Sequence, residues 1–226
     1  VNLKILLFNN RIYGLTKGQY SPTSEVGKIT KSTPMGSLDA PFNPVSLAIG
    51  AEASFVARTV DSDRKHLTEV LRQAAAHQGT ALIEIYQNCN IFNDGAFEVL
   101  KDKQQAEEAV IRLEHGKPIR FGTDGSKGVV RDQLTGDLRV VAVTPANESQ
   151  ILVHDAHAPS PTTAFALSRL ADPDTLHHTP IGVFRSVDRP VYDTQMADQL
   201  EMAVEQHGKG DLAALLAGGD TWTVVG

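Results

Sequence analysis

Three observations predict that this chain is an α/β protein built on a parallel sheet. Residues 3–8 (Leu-Lys-Ile-Leu-Leu-Phe) form an apolar run with the length and composition of a buried strand. Residues 54–86 read in the order extended run, amphipathic helix and apolar strand, which predicts a right-handed crossover between parallel strands. Residues 128–143 have a hairpin pattern, so a smaller α+β segment is expected to follow the parallel sheet.

The first predicted strand is followed by a long stretch without a helical or strand pattern. Residues 20–45 are rich in Ser, Thr, Pro, Gly and Lys. A loop of this length inside a compact domain is usually functional. Asn43-Pro44 then begins a predicted helix that continues to Ala53.

A clear amphipathic helix follows the extended run at residues 54–60. Asp61 or Ser62 is predicted to cap its N-terminus, and Gly79 stands where its C-cap is expected. Its apolar side chains recur at helical spacing and are Leu67, Val70, Leu71, Ala74 and Ala75. Residues 81–86 (Ala-Leu-Ile-Glu-Ile-Tyr) form the next predicted strand.

The second half of the chain mixes short helices and strands. Residues 97–115 are charged and are predicted to be helical up to Gly116. The hairpin pairs residues 128–131 with residues 138–143. Further predicted elements are strands at residues 151–153 and 181–184 and helices at residues 161–170, 194–207 and 211–217.

Composition and charge exclude several classes of protein. The formal net charge is −6 without a basic stripe, which argues against nucleic acid or an anionic membrane as the main partner. No apolar run approaches the length needed to span a bilayer. The single cysteine excludes an internal disulfide framework and suits a reducing cytoplasm.

Polar residues follow two of the predicted strands. Asn9 and Asn10 begin a glycine-containing loop after the first strand, and Cys89 lies just beyond strand 81–86. Because ligands of α/β proteins usually bind where parallel strands end, Asn10 and Cys89 are expected at the same edge of the sheet. The residues alone also fit an ordinary turn and an inert buried thiol.

Residues 9–19 (Asn-Asn-Arg-Ile-Tyr-Gly-Leu-Thr-Lys-Gly-Gln) resemble the thiamine-diphosphate site of the β subunits of 2-oxoacid:ferredoxin oxidoreductases, most of all the 2-oxoglutarate type. Residues 83–89 (Ile-Glu-Ile-Tyr-Gln-Asn-Cys), with the Phe92-Asn93 that follows, resemble the same family. Residues 151–157 and 180–190 extend the resemblance over nearly the whole chain. It implies part of a thiamine-diphosphate-binding domain in residues 1–115 and a C-terminal extension in residues 116–226.

The resemblance also implies how a magnesium and cofactor site is assembled. The side chain of Asn10 and the carbonyl oxygen of Ile12 would bind Mg²⁺, which prefers hard oxygen ligands shared with phosphates. Tyr13 and Thr16 would contact the thiamine diphosphate. An Asp from a Gly-Asp-Gly motif would complete the set from a position before residue 1. The chain is therefore expected to be the carboxyl-terminal part of a longer β subunit.

Two further roles follow from the same resemblance. Cys89 would be the last of four thiolates that hold a [4Fe–4S] cluster, with the other three supplied from outside this chain. Leu15 and Lys17 would contact the substrate. The Lys17 ammonium would pair with the distal carboxylate of 2-oxoglutarate, a group that pyruvate lacks.

The implied activity is the oxidative decarboxylation of 2-oxoglutarate with coenzyme A to succinyl-CoA, with electrons passing to ferredoxin, or the reverse reaction. The implied partner is an α subunit, in a dimer of αβ pairs. No catalytic residue is named in this chain, because the Glu that activates the cofactor would come from another subunit. Two alternatives stay open: pyruvate or branched-chain 2-oxoacids as substrates, and a noncatalytic assembly module with a vestigial half-site.

Overall fold

The computed structural model describes residues 1–219, 222–224 and 226. These residues form two compact units, Asn2–Arg189 and a smaller unit made of Val1 with Pro190–Gly226. The strands, in chain order, are β1 (Lys4–Asn9), β2 (Phe55–Val60), β3 (Ala81–Tyr86), β4 (Val110–Leu113), β5 (Arg120–Phe121), β6 (Lys127–Arg131), β7 (Leu138–Ala142) and β8 (Thr179–Ser186). The helices are α1 (Pro44–Gly50), α2 (Arg64–Ala76), α3 (Lys103–Ala109), α4 (Thr162–Ser168), α5 (Tyr192–His207) and α6 (Leu212–Ala217).

The larger unit is built on a five-stranded sheet with the order β1–β3–β2–β8–β4. Strands β1, β3 and β2 are parallel and in register, with Asn9 and Val60 on either side of Tyr86. This confirms the predicted parallel sheet and brings the ends of the three strands to one edge. Strand β8 runs antiparallel to β2 and parallel to β4, so the complete sheet is mixed and mostly parallel.

The two predicted segments of the chain share this sheet. Strand β8 lies between β2 and β4, although it follows residue 115 by more than sixty positions in sequence. Residues 116–226 therefore contribute to the same layer as residues 1–115. The division into a cofactor-binding domain and a C-terminal extension stays a prediction.

Helices α1 and α2 begin at side-chain caps. The Asn43 carboxamide accepts a hydrogen bond from the Ser46 N–H, and Pro44 occupies the first turn, where its missing N–H costs nothing. Helix α2 is capped by Asp63, whose carboxylate accepts from the His66 N–H. Its Val70 and Ala74 are buried in a cluster with side chains of β2 and β3.

Several predicted boundaries are wrong for identifiable reasons. Asp63 caps α2 rather than Asp61 or Ser62, because the Asp61 carboxylate instead accepts from the Asn88 N–H. Helix α2 ends at Ala76, with His77 and not Gly79 at its C-cap, and Ala75 is exposed.

The segment predicted to be helical at residues 97–115 is also partly a strand. Helix α3 stops at Ala109, and Val110–Leu113 pair with β8, since β-branched residues fit a pleated and half-buried surface.

The predicted hairpin is confirmed as β6 and β7, which with β5 form a three-stranded antiparallel sheet. Residues 151–153, predicted to be a strand, make only isolated bridges, from Ile151 to Val130 and from Val153 to Pro118. The smaller unit contains α5 and α6 close to their predicted positions. Among the described helices, none is both long and apolar enough to cross a membrane.

The long loop between β1 and α1 contains neither a helix nor a regular strand. It is held by the buried Arg11, whose Nε donates to the Thr23 carbonyl (3.0 Å) and whose Nη2 donates to the Pro173 carbonyl (2.9 Å). The guanidinium also lies 3.5 Å from the Glu25 carboxylate, which binds Lys28 at 2.9 Å. Side-chain bonds thus satisfy backbone groups that no secondary structure pairs.

A buried ion pair lies where the strands end. The Glu84 carboxylate is fully buried and accepts from Arg58 Nε (2.7 Å) on β2 and from Asn9 Nδ2 (2.7 Å) on β1. The Arg58 guanidinium carbon lies over the rings of Tyr86 (5.2 Å to the centroid) and Phe184 (5.5 Å). Burial opposes the Arg58 charge, but Tyr86 and Glu84 outweigh it and raise the Arg58 pKa. Three neighbouring strands are thereby tied together at one point.

Replacing Glu84 with alanine should lower the free energy of unfolding by about 3–5 kcal/mol, because it leaves the Arg58 charge buried without its partner. Urea unfolding of the full chain, followed by circular dichroism, measures this loss. Glu69→Ala is the matched control: exposed Glu69 pairs with Arg72 at 2.7 Å on α2. Such surface pairs contribute about 0–1 kcal/mol. Equal losses in the two variants would contradict the role given to Glu84.

The contacts that Glu25 makes in the long loop should become less stabilising in acid, because the carboxylate loses its charge. Burial raises the pKa of Glu25, but its own backbone N–H, Lys28 and the Arg11 charge outweigh burial and hold the pKa below its usual 4.5. The carboxylate therefore stabilises the fold above that value and loses its contribution as the pH falls through the lowered pKa.

Glu25→Gln should make unfolding stability less dependent on pH between about pH 5 and about pH 3. Denaturant midpoints measured across that range test this expectation, with exposed Glu98→Gln as control. A pH dependence in Glu25→Gln as steep as in the parent chain would show that Glu25 does not carry the effect.

Candidate functional site

The predicted functional residues lie on one edge of the sheet. Asn10 follows β1 and Cys89 lies three residues beyond β3, and the two strands are adjacent and parallel. The Gln87 N–H donates to the Asn9 carbonyl (3.0 Å), so the pairing continues one step past the strand ends. We call residues 10–19 the cofactor loop and residues 89–93 the cysteine turn.

Asn10 and Ile12 present two oxygen atoms in the first turn of the cofactor loop. The Asn10 Oδ1 accepts a long hydrogen bond from the Ile12 N–H (3.3 Å) and retains a second lone pair. Ile12 is buried, and its carbonyl oxygen accepts no hydrogen bond from any described residue. An amide oxygen and an unpaired carbonyl oxygen fit the ligand preference of Mg²⁺.

Arg11, between these two residues, has a left-handed backbone with φ of +56°. That conformation is uncommon for a residue other than glycine and persists only where contacts enforce it. The guanidinium bonds to Thr23 and Pro173 supply those contacts. The turn that presents Asn10 and Ile12 is therefore set by a buried side chain.

The two asparagines at the end of β1 differ in what their side chains do. Asn9 is buried, donates to Glu84, and accepts from Thr23 Oγ1 (2.7 Å) and the Arg11 N–H (3.1 Å). Asn10 is half-buried, and among the described residues its side-chain nitrogen donates to no acceptor. Of the two side-chain oxygens, Asn9 Oδ1 already accepts two hydrogen bonds and Asn10 Oδ1 accepts one, so only the Asn10 oxygen has a lone pair left for a ligand. Asn9 and Glu84, which sequence reasoning missed, support the edge.

The rest of the cofactor loop is a tight turn closed by its own backbone. The Tyr13 N–H donates to the Gln19 carbonyl (2.8 Å), and the Gly18 N–H donates to the Tyr13 carbonyl (3.1 Å). The Thr16 hydroxyl also donates to the Tyr13 carbonyl (3.1 Å), so it is already engaged. Leu15 (96% exposed) and Lys17 form the exposed tip, and Tyr13 is half exposed. The structure thus places the predicted substrate residues at a solvent-facing tip.

The cysteine turn is similarly compact. Cys89 is partly buried, and the Asn93 N–H donates to its carbonyl oxygen (2.9 Å). The preceding Asn88 N–H donates to the Asp61 carboxylate (3.2 Å) at the end of β2. Because the chain has one cysteine, it can supply only one of the four thiolates that a cubane cluster needs.

A cavity of about 170 Å³, with both polar and apolar lining, lies beside Asn9 on the α1 side of the strand ends. Arg58, Glu84 and Tyr86 contribute to its wall. Burial raises the pKa of Tyr86 to about 12, so its hydroxyl stays protonated at neutral pH. Arg11 also lines this cavity, whereas Asn10 and Ile12 do not, so the cavity borders the Asn10–Ile12 turn only through Arg11.

Residues 1–85 match one protein family, the C-terminal TPP binding domain of thiamine pyrophosphate enzymes. The chain is 58% identical, over 226 residues and 99% of its length, to the 2-oxoglutarate oxidoreductase subunit KorB of Mycobacterium tuberculosis, and spans 60% of that protein. It is 34% identical over 66% of its length to the 2-oxoacid:ferredoxin oxidoreductase subunit beta of Saccharolobus solfataricus, and spans 50% of that protein.

A solved structure is similar in fold. A chain of the 2-oxoglutarate:ferredoxin oxidoreductase of Magnetococcus marinus, solved with 2-oxoglutarate, coenzyme A and succinyl-CoA bound, superposes with a TM-score of 0.65 at 23% identity. The match covers 96% of this chain and 58% of the other. The present chain is therefore a homologue of the β subunits of 2-oxoglutarate and other 2-oxoacid:ferredoxin oxidoreductases, with the C-terminal thiamine-pyrophosphate-binding domain at its start.

Proposed function

We propose that this chain is part of the β subunit of a thiamine-diphosphate-dependent oxidoreductase that converts 2-oxoglutarate and coenzyme A to succinyl-CoA, or the reverse. One observation carries the proposal: the Asn10–Ile12 turn and Cys89 lie side by side at the carboxyl edge of a parallel sheet. The 58% identity to a 2-oxoglutarate oxidoreductase subunit supports this substrate over pyruvate or branched-chain 2-oxoacids.

Asn10 Oδ1 and the Ile12 carbonyl oxygen would hold Mg²⁺, and Tyr13 and Thr16 would contact the cofactor. Thiamine diphosphate, when bound, supplies the electron sink for decarboxylation of a 2-oxoacid. This chain's contribution is to bind and orient: the hydrogen bonds of Arg11 would hold the turn that presents these oxygens in place, which would reduce the cost of binding.

Cys89 would supply one thiolate to a [4Fe–4S] cluster beside that site. Such a cluster accepts electrons singly and would pass them to ferredoxin. Cys89 follows the strand adjacent to the one that Asn10 follows, so the two groups would be held close together. The remaining three thiolates and a carboxylate ligand for Mg²⁺ would come from further polypeptide.

The surface of β1 supports association with that polypeptide. β1 is an edge strand of the sheet, and it exposes Ile5 (39%), Leu6 (44%) and Phe8 (55%). Strands of parallel sheets are usually covered on both faces, and exposed apolar patches mark interaction surfaces. An α subunit would complete the active complex as a dimer of αβ pairs, which we place in the cytoplasm.

Lys17 would select the substrate. Its exposed ammonium at the tip of the cofactor loop would pair with the distal carboxylate of 2-oxoglutarate, with Leu15 beside it. Its backbone φ of +68° lies in the region that glycine adopts without strain, so glycine at this position should leave the loop intact.

Lys17→Gly should lower kcat/KM for 2-oxoglutarate by about 10- to 100-fold through loss of a charge-assisted hydrogen bond. The kcat/KM for pyruvate should stay the same or rise. Steady-state kinetics of the anaerobically purified complex measure both values. Lys31→Ala, an exposed lysine of the same long loop, is the control. An unchanged ratio of the two kcat/KM values would remove Lys17 from substrate selection.

Cys89→Ser and Asn10→Ala should each impair one of the two proposed sites in the assembled complex and leave the other intact. Cys89→Ser is expected to lose cluster absorption, iron and the reduced-cluster EPR signal while still binding thiamine diphosphate, because it lacks one thiolate. Asn10→Ala is expected to retain iron and to bind Mg²⁺ with thiamine diphosphate more weakly. A colourless parent complex without bound thiamine diphosphate would instead support a noncatalytic assembly module.

A further inference from the structure

The cysteine turn and the cofactor loop are joined by one buried side chain. Asn93, at the end of the cysteine turn, is only 6% exposed. Its Nδ2 donates to the carbonyl oxygen of Asn10 (2.9 Å) and lies 3.4 Å from that of Arg11. Its backbone N–H closes the cysteine turn on the Cys89 carbonyl (2.9 Å). A single residue therefore contacts both segments that would hold the redox centres.

The other side of the Asn93 carboxamide is also occupied. Its Oδ1 accepts from Lys28 Nζ, and Lys28 pairs with Glu25 at 2.9 Å. In the described part of the chain, every hydrogen bond between residues 88–95 and residues 10–28 involves Asn93. A group at this position needs both a donor and an acceptor, a combination that a carboxamide has and a carboxylate lacks.

The neighbouring Phe92 adds a packing contact to the same junction. Its ring covers Gly14 and Gly18: a Cβ built on Gly18 would lie 3.3 Å from Phe92 Cδ1, and one on Gly14 would lie 3.7 Å from Cδ2. Gly18 has φ of +103°, which a side chain would strain in addition. The aromatic ring thus holds the tip of the cofactor loop from the direction of Cys89.

We infer that Asn93 is a positioning residue that sets the placement of the Asn10–Ile12 turn relative to Cys89. Its side chain acts through the Asn10 carbonyl, and its backbone N–H closes the cysteine turn. The inference rests on the proposed function. If that function holds, the same hydrogen bond would keep the thiamine site and the cluster ligand at a constant separation. Loss of the bond should loosen the cofactor loop, while the backbone bond that closes the cysteine turn remains.

The test compares three variants in the assembled complex, purified anaerobically. Asn93→Asp keeps the shape and the contact with Lys28 but loses the donor to Asn10. Asn93→Leu loses both contacts. Asn90→Ala is the control, since Asn90 is an exposed residue of the same turn. The measurements are Kd for thiamine diphosphate with Mg²⁺, iron content, the rate of cluster reduction after one addition of 2-oxoglutarate, and hydrogen exchange of peptides covering residues 11–19 without cofactor.

Asn93→Asp should raise the Kd about 5- to 30-fold, the effect expected for a lost buried hydrogen bond. It should also speed hydrogen exchange in residues 11–19 and slow cluster reduction, with iron content unchanged. Asn93→Leu should show equal or larger effects, and Asn90→Ala should match the parent. Hydrogen exchange reports the loop directly and does not depend on turnover.

Two contrary outcomes can be told apart. If the parent complex holds both thiamine diphosphate and a cluster while Asn93→Asp matches it in Kd, exchange and cluster reduction, the positioning role is wrong and the proposed function stands. If the parent complex itself holds neither group, the proposed function fails and this inference fails with it.

Discussion

The buried Glu84 carboxylate is the interaction on which the functional edge depends. It has two oxygens and binds two partners, Arg58 on β2 and Asn9 on β1, each at 2.7 Å. In a site closed to water, a carboxylate without such partners would be costly, so the ends of three parallel strands are held in one relative position. Asn9 extends this arrangement into the loop, because its Oδ1 accepts from Thr23 and from the Arg11 N–H.

The irregular loop between β1 and α1 is held in place by hydrogen bonds that begin at Asn9 and Arg11. Arg11 spans from the end of β1 to the carbonyls of Thr23 and Pro173, and Ser24 Oγ donates to the Arg11 carbonyl (2.6 Å). These bonds substitute for a secondary-structure ladder and offset the cost of a left-handed residue at position 11. The two parts of the loop therefore differ. The turn at Asn10–Ile12 is held by hydrogen bonds and presents oxygen atoms, whereas the tip at Leu15 and Lys17 is exposed and could contact substrate or a partner chain.

The same edge explains why two different redox groups would share so small a region. Adjacent parallel strands end at the same edge of a sheet, so the residues that follow them become neighbours without additional contacts. Adjacency alone leaves two flexible turns, however. Asn93 and Phe92 supply the missing connection, one by hydrogen bonds to the cofactor loop and the other by packing on its glycines. A catalytic edge of this kind needs both the sheet and the side chains that join its loops.

Local patterns in the sequence determined β1, β3 and the β6–β7 hairpin, since each depends on residues close together in the chain. The shared edge of Asn10 and Cys89 followed from the strand–helix–strand order, which predicts parallel strands that end on the same side of the sheet. Resemblance to a family, and not periodicity, indicated which atoms at that edge would bind a cofactor. Tertiary structure alone decided that β8 inserts antiparallel beside β2, that Val110–Leu113 leave the helix to pair with it, and that Glu84 faces Arg58 and Asn9 inside the protein. It also decided that Asn93 meets Asn10 from 83 residues away. The physical reason is common to all four: these contacts join distant parts of the chain, and their stability comes from burial and partner geometry that no local propensity contains.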